Sequence, residues 1–161
     1  MARRTRAHIL DELEQKRPFA SKAQEVTIAL LRTADVVRKR LARVVEKEHI
    51  TLQQYNVLRI LRGAGGTPLS ALAISDRLIE ETPGVSRLLE RLVAKGLVRR
   101  GRSAQDRRML ECSLTERGLQ MLSRLEEPVN RADADVLHAL TARELLTLDG
   151  LLSRIRQTQP D

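Results

Sequence analysis

Arginine dominates one short part of the chain. From Arg87 to Arg108 the basic residues Arg87, Arg91, Lys95, Arg99, Arg100, Arg102, Arg107 and Arg108 are set against only two acids, Glu90 and Asp106, so most of the formal net charge of +8 sits there. Cations at this density do one kind of chemistry: they hold anions, phosphate among them, through charge and N–H donors. The segment closes on GRSAQDRRML, residues 101–110, where Asp106 stands directly against Arg107 and Arg108. Such a loop is either a salt-bridged turn or a basic finger aimed at an anionic partner.

The elements around the segment decide how it is presented. Thr82 followed by Pro83 predicts a capping hydroxyl and then a proline at the first helical position, where its missing amide proton costs nothing. The helix they open is expected to run to about Lys95 and to stop at Gly96. Val85, Leu88, Leu89 and Leu92 form its inward face and leave Gly84, Arg87 and Arg91 outward, with Ser86 and Glu90 flanking. A solvated face with an (i, i+3) ion pair between Arg87 and Glu90 is the competing explanation of that charge. Beyond Gly96, LVRRG and MLECSL read as two short strands joined by the loop, with Leu110, Cys112 and Leu114 on one face.

Upstream, Thr51 and Gln54 have capping-box spacing and open a helix whose Tyr55, Leu58 and Leu61 point inward as far as Gly63. GAGGTP breaks it, and Ser70 caps a third short helix with Ala71, Ile74, Ser75 and Leu78 inward. Short helix, turn, capped helix and hairpin, in that order, make a winged helix-turn-helix. A helix about 10–12 Å across fits the major groove of DNA, and its N-terminus offers unpaired amides to phosphate. Pro83 and Gly84 keep that end slim, so Thr82, Ser86, Arg87 and Arg91 are the side chains placed to reach base edges or phosphates.

Long helices flank this unit. Residues 1–17 read as a basic tail with a turn or two of helix around Ile9 to Gln15. Ser21 and Gln24 repeat the capping-box spacing, and Ala23, Val26, Leu30, Ala34, Val37, Leu41 and Val44 form one continuous stripe ending near Glu48. Thr115 caps another helix, apolar at Leu119, Leu122, Leu125, Val129, Val136, Leu137 and Leu140, in which Pro128 predicts a kink. Thr141 and Glu144 start the last helix, with Leu145, Leu148, Leu152 and Ile155 inward. The first and last stripes are too long for the winged unit to cover, so a monomer would expose them and a second copy would bury them.

Composition narrows the remaining function classes. Of 161 residues 42% are apolar, yet Phe19 and Tyr55 are the only aromatic ones, so the core must be Leu, Val, Ile and Ala, in helices packed on helices. The single cysteine, Cys112, excludes an intramolecular disulfide and suits a reducing cytoplasm. No stretch approaches the roughly 18 apolar residues that span a membrane, and the basic start lacks the apolar run of a secretory signal, so a soluble cytoplasmic protein is expected. His8, His49 and His138 lie far apart, and no Cys or His has metal-ligand spacing. With no Gly-rich phosphate loop and no nucleophile beside a base, neither an enzyme nor a bound cofactor is expected. Cys112 reads as a small buried hydrophobe in preference to a redox sensor.

At this point the chain resembles the MarR family of bacterial winged-helix regulators. TPGVSRLLERLVAKGLVRR resembles the family's recognition helix and first wing strand, and DRRMLECSLTERG resembles its wing signature, in which D-x-R-x5-L-T is matched by Asp106, Arg108, Leu114 and Thr115. The resemblance covers roughly residues 22 to 157. It implies a mainly α fold with a small β-hairpin wing, divided into a basic tail (1–20), an N-terminal dimerisation helix (21–48), a winged helix-turn-helix (49–114) and C-terminal dimerisation helices (115–161). It further implies a homodimeric repressor or activator bound to a pseudo-palindromic operator in double-stranded DNA. The minor-groove arginine falls on Arg108, steadied by Asp106, with Arg102 and Arg107 as further wing contacts. A small aromatic effector would bind near a cleft that Tyr55 borders, although ordinary core packing explains a lone tyrosine as well. The rival reading is a winged-helix protein-interaction or structural module whose basic segment only confers solubility.

Overall fold

A computed structural model of the chain describes residues 9–80, 84–103 and 108–158. The chain falls into two compact units, Met1–Lys39 and Arg40–Asp161. In the first, helix α1 (Ile9–Glu12) precedes the start of helix α2 (Lys22–Val45), which continues into the second. Ser21 Oγ accepts the Gln24 amide at 3.1 Å, while Gln24 Oε1 accepts from Ala20 N at 2.8 Å. The expected box is therefore closed one residue earlier than its usual partner. Val26 and Leu31 of α2 are 51% and 63% exposed, so its apolar residues are far from fully covered within one chain.

In the second unit α2 ends at the fully buried Val45, and a 3-10 turn (Glu46–Glu48) leads to His49, whose φ of 58° lies in the left-handed region. Helix α3 (Leu52–Gly63) has both halves of the box expected from Thr51 and Gln54, at 3.2 and 3.0 Å. Ser70 caps helix α4 (Ala71–Ser75) through the Ala73 amide, and the half-buried Leu78 lies beyond the helix's end. Then come helix α5 (Val85–Ala94), strands β2 (Val98–Arg102) and β3 (Leu110–Leu114), and helices α6 (Glu116–Leu137) and α7 (Ala142–Gln157). Thr115 and Thr141 cap the last two as their hydroxyls predict. Helix α6 continues through Pro128 without interruption.

The sheet holds one strand that the sequence does not announce. Strand β1 (Leu69–Ser70) pairs antiparallel with β3, giving the order β1-β3-β2. Two residues are too few to show an alternating pattern, and their partners lie more than forty residues away, at Cys112 and Glu111. One expectation about the hairpin needs correcting. Cys112 is buried and Leu114 partly so, but Leu110 is 52% exposed, because it stands opposite Arg102 at the outer end of the ladder, beyond the helices.

Leucine and valine build the core, as the near absence of aromatic residues requires: Leu58, Ile74, Leu89, Leu92, Leu97 and Leu122 are all fully buried. Gly118, in the first turn of α6, is fixed by close packing, since a Cβ there would run into the carbonyl oxygen of Leu97. No helix among the described residues is long and apolar enough to cross a membrane.

Candidate nucleic-acid interface

Helix α5 separates its two faces sharply. Leu89 and Leu92 are buried and Val85 and Leu88 partly so, whereas Ser86, Arg87, Glu90 and Arg91 are exposed. Arg87 and Arg91 enter no ion pair among the described residues, and the pair with Glu90 that would explain the charge as a neutralised face does not form. The guanidinium groups therefore keep their full charge toward solvent.

The start of the helix differs from the expectation. In place of a Thr82 cap with Pro83 at the first helical position, α5 begins at Val85 behind an N-cap Gly84 with φ of 88°. That left-handed conformation suits glycine and strains other residues, which explains a glycine at this corner. Thr82 and Pro83 lie outside the described residues. Gly84 O accepts the Arg87 and Leu88 amides, and no side chain caps α5 among the described residues, in contrast to α3, α4, α6 and α7. The Arg87 amide, whose counterparts at those four helix starts meet a capping hydroxyl, is taken by the Gly84 carbonyl oxygen instead, so no side chain among the described residues occupies the end of the helix where the dipole favours an anion.

Three contacts that sequence reading does not single out, alongside the expected Thr115 cap of α6, hold the helix's far end. Lys95 Nζ donates to the His49 carbonyl oxygen at 2.7 Å, which ties the end of α5 to the turn that closes α2. Thr115 does double work: its hydroxyl donates to Gly96 O at 2.7 Å and accepts the Gly118 amide at 3.1 Å, while its own amide donates to Leu97 O. A lysine at the C-cap of α5, a residue type that donates to carbonyls at helix ends, is the one sequence signal for the first contact.

The hairpin continues directly from that anchor. Val98, Arg100 and Arg102 alternate with Arg99 and Gly101 along β2, so arginines stand on both of its faces. Arg99 Nε donates to Ser113 Oγ across the ladder at 2.8 Å, and Arg102 stands exposed opposite Leu110. Ser103 N donates to Met109 O, carrying the pairing one step beyond the strands, and Arg108 is exposed just past it. Asp106 and Arg107 lie outside the described residues. Cys112 faces the core opposite Arg100; burial pushes its thiol above the ordinary value, against the lowering effect of the Arg100 hydrogen bond. A protonated, buried thiol is a poor nucleophile.

Tyr55 is only 7% exposed, with Arg59 stacked 6.0 Å from its ring centroid. Burial raises its pKa, and the Arg59 charge opposes that rise. Core packing accounts for these surroundings.

A sequence profile of the MarR family matches residues 49–109, which begin before α3 and end inside the hairpin. Among solved structures, the chain resembles the MarR transcription factor of Planctomyces limnophilus at 37% identity over 84% of this chain and 98% of that one, with a TM-score of 0.65. Wild-type MarR from E. coli in its apo form shares 23% identity over 86% and 98% of the two chains, with a TM-score of 0.69. BpsR of Bordetella bronchiseptica, whose DNA binding is regulated by 6-hydroxynicotinic acid, shares 20% over 89% and 100%, with a TM-score of 0.77. The last two matches speak to the fold, while the first carries more than a third of its residues across almost all of a MarR protein; the chain belongs to the MarR family of winged helix-turn-helix transcription regulators.

Proposed function

We propose that the protein is a cytoplasmic transcriptional regulator that binds a pseudo-palindromic operator in double-stranded DNA as a homodimer and is released from it by a small-molecule effector. The observation that carries this reading is the outward face of α5, where Ser86, Arg87 and Arg91 are exposed and the two arginines have no ion pair among the described residues, beside a hairpin with Arg99, Arg100 and Arg102. Arginine donors suit guanine edges in the major groove, and an uncapped helix start suits phosphate. Arg108, Arg107 and Arg102 are assigned to the wing's contacts, with Asp106 steadying Arg108, and Thr82, Pro83 and Gly84 to the close approach of the helix start. An arginine in a narrow minor groove reads its width more than its bases.

Dimerisation is supported by the apolar residues left on α7, where Leu146 is 77% and Leu151 48% exposed and no residue is buried. Two-fold symmetry then sets the two α5 helices about one DNA turn, roughly 34 Å, apart. The 6-hydroxynicotinic acid response of BpsR supports an aromatic effector, with Tyr55 assigned to the edge of its pocket.

Selection of bound sequences from random DNA, followed by fluorescence anisotropy across a salt series, tests the reading. Affinity for the selected sequence should fall steeply with salt yet exceed that for random DNA. Arg87→Ala and Arg108→Ala should each weaken it by about 5- to 100-fold while the thermal midpoint stays in place. Wild-type affinity in both variants would remove the assigned roles, and equal affinity for any DNA would leave a basic module without operator recognition.

A further inference from the structure

The outer end of the hairpin carries two side chains that its charge does not explain. Met109 is 48% exposed and Leu110 52%, in a segment whose other exposed long side chains among the described residues, Arg99, Arg100, Arg102 and Arg108, are all cations. The register sets the two on opposite faces. Leu110 pairs with Arg102 and shares its face with the buried Cys112, whereas Met109, one residue along, shares the other with Glu111 and Ser113. The Ser103 amide donates to Met109 O at 2.9 Å, so the ladder still holds the backbone where the apolar pair stands.

Apolar side chains exposed on one face of a sheet suit a second protein surface, which covers one face. Exposure on both faces of two paired strands calls for a partner with two walls. The minor groove of DNA is such a slot: it is about 6 Å wide, close to the roughly 4.8 Å between neighbouring strands, with deoxyribose C–H groups along each wall and phosphates at the rims. We propose that Met109 and Leu110 brace the wing between the two deoxyribose walls of the minor groove and make its affinity depend on groove width. The arginines on both faces of β2 are complementary to the phosphate rims, and the two apolar side chains are complementary to the walls between them. Leucine and methionine serve minor-groove binders because they remove water from sugar and base surfaces that a guanidinium leaves wet. The inference rests on the DNA-binding reading and adds to it a contact that carries no charge.

The missing charge supplies the test. Affinity of the full chain for its selected operator is measured across a salt series for wild type, Met109→Ser, Leu110→Ser, the double serine variant and Arg102→Ala. Phosphate contacts release counterions and apolar ones do not, so Arg102→Ala should flatten the plot of log affinity against log salt by about 1. Each serine variant should instead lose about fivefold or more at every salt concentration, on a line parallel to wild type. Both positions are exposed, so the thermal midpoint should stay in place, and Met109→Leu and Leu110→Met should bind as wild type. Replacing adenine by 2,6-diaminopurine, at the pairs where the wing shields the minor groove from hydroxyl radicals, adds an amino group there and leaves the major-groove edge unchanged; it should weaken wild type about tenfold and the double serine variant no more than about threefold. Serine variants that bind as wild type, a loss that appears as a changed slope, or an equal diaminopurine penalty in wild type and double variant would overturn the proposal. A shift in the sedimentation coefficient of the serine variants with operator affinity intact would make the occupant a protein surface, which overturns it too. Failure of the wild-type chain to prefer any operator is a separate result, since it removes the DNA-binding reading and this contact with it.

Discussion

Helices α5 and α7 are held by opposite means. Helix α5 spans ten residues, has no side-chain cap among the described residues, and buries Leu89 and Leu92 in the core. Helix α7 spans sixteen, opens with a complete capping box between Thr141 and Glu144, and has no fully buried residue, Leu145, Leu148 and Leu152 being only partly covered. Most helical stability in proteins comes from packing an amphipathic face, with caps a smaller local supplement. The comparison therefore separates a helix fixed by its buried face from one whose start is locally satisfied while Leu146, Leu151 and Ile155 stay exposed. Under the proposed function α5 is a reader that needs rigidity and α7 an arm that needs a second copy, and the contrast in how they are held fits those two roles.

Five substitutions test that contrast. Leu89→Ala should lower the unfolding free energy by about 2–5 kcal/mol in denaturant titrations, because it opens a cavity at a fully buried position. Gly118→Ala should cost about 1–3 kcal/mol, since the added Cβ pushes α6 off the Leu97 carbonyl. Thr115→Ala should cost about 1–2 kcal/mol and exceed Thr141→Ala at roughly 1, since Thr115 also loses its bond to Gly96 O. Leu146→Ala should change the stability of the dilute chain by no more than about 0.5 kcal/mol, yet raise the dimer dissociation constant in sedimentation runs. If Leu146→Ala matched Leu89→Ala in dilute solution, α7 would be packed by its own chain and the contrast would be gone.

Helix starts were legible wherever a hydroxyl does the capping. Thr51, Ser70, Thr115 and Thr141 all cap the helices their spacing announces, because the bond is local and its partners are two or three residues away. The start of α5 was misread because Thr82 and Pro83 carry the usual signal while Gly84, with its left-handed φ, makes the actual corner. Strand β1 escaped because its pairing with β3 is set by distant residues. The charge of the candidate interface was plain from arginine spacing, and the outward placement of Arg87 and Arg91 followed from helical period alone. The links that hold α5, from Lys95 to His49 and from Thr115 to Gly96, join residues 46 and 19 apart and leave little local trace.

The hairpin's proportions have a mechanical side. Its base is pinned where Thr115 meets Gly96 and Leu97, and its ladder continues to Ser103 and Met109. Strand β1 also grips β3, at Cys112 and Glu111, so the part of the hairpin held by its own two strands alone begins beyond Glu111. The pairs Arg102–Leu110 and Ser103–Met109, at about 3.4 Å per residue, make an overhang of roughly 7 Å. Arg102 and Arg108 thus sit on a short stub with a three-stranded root, and a tilt at Gly96 is resisted by the Leu69–Ser70 pairing before it reaches them.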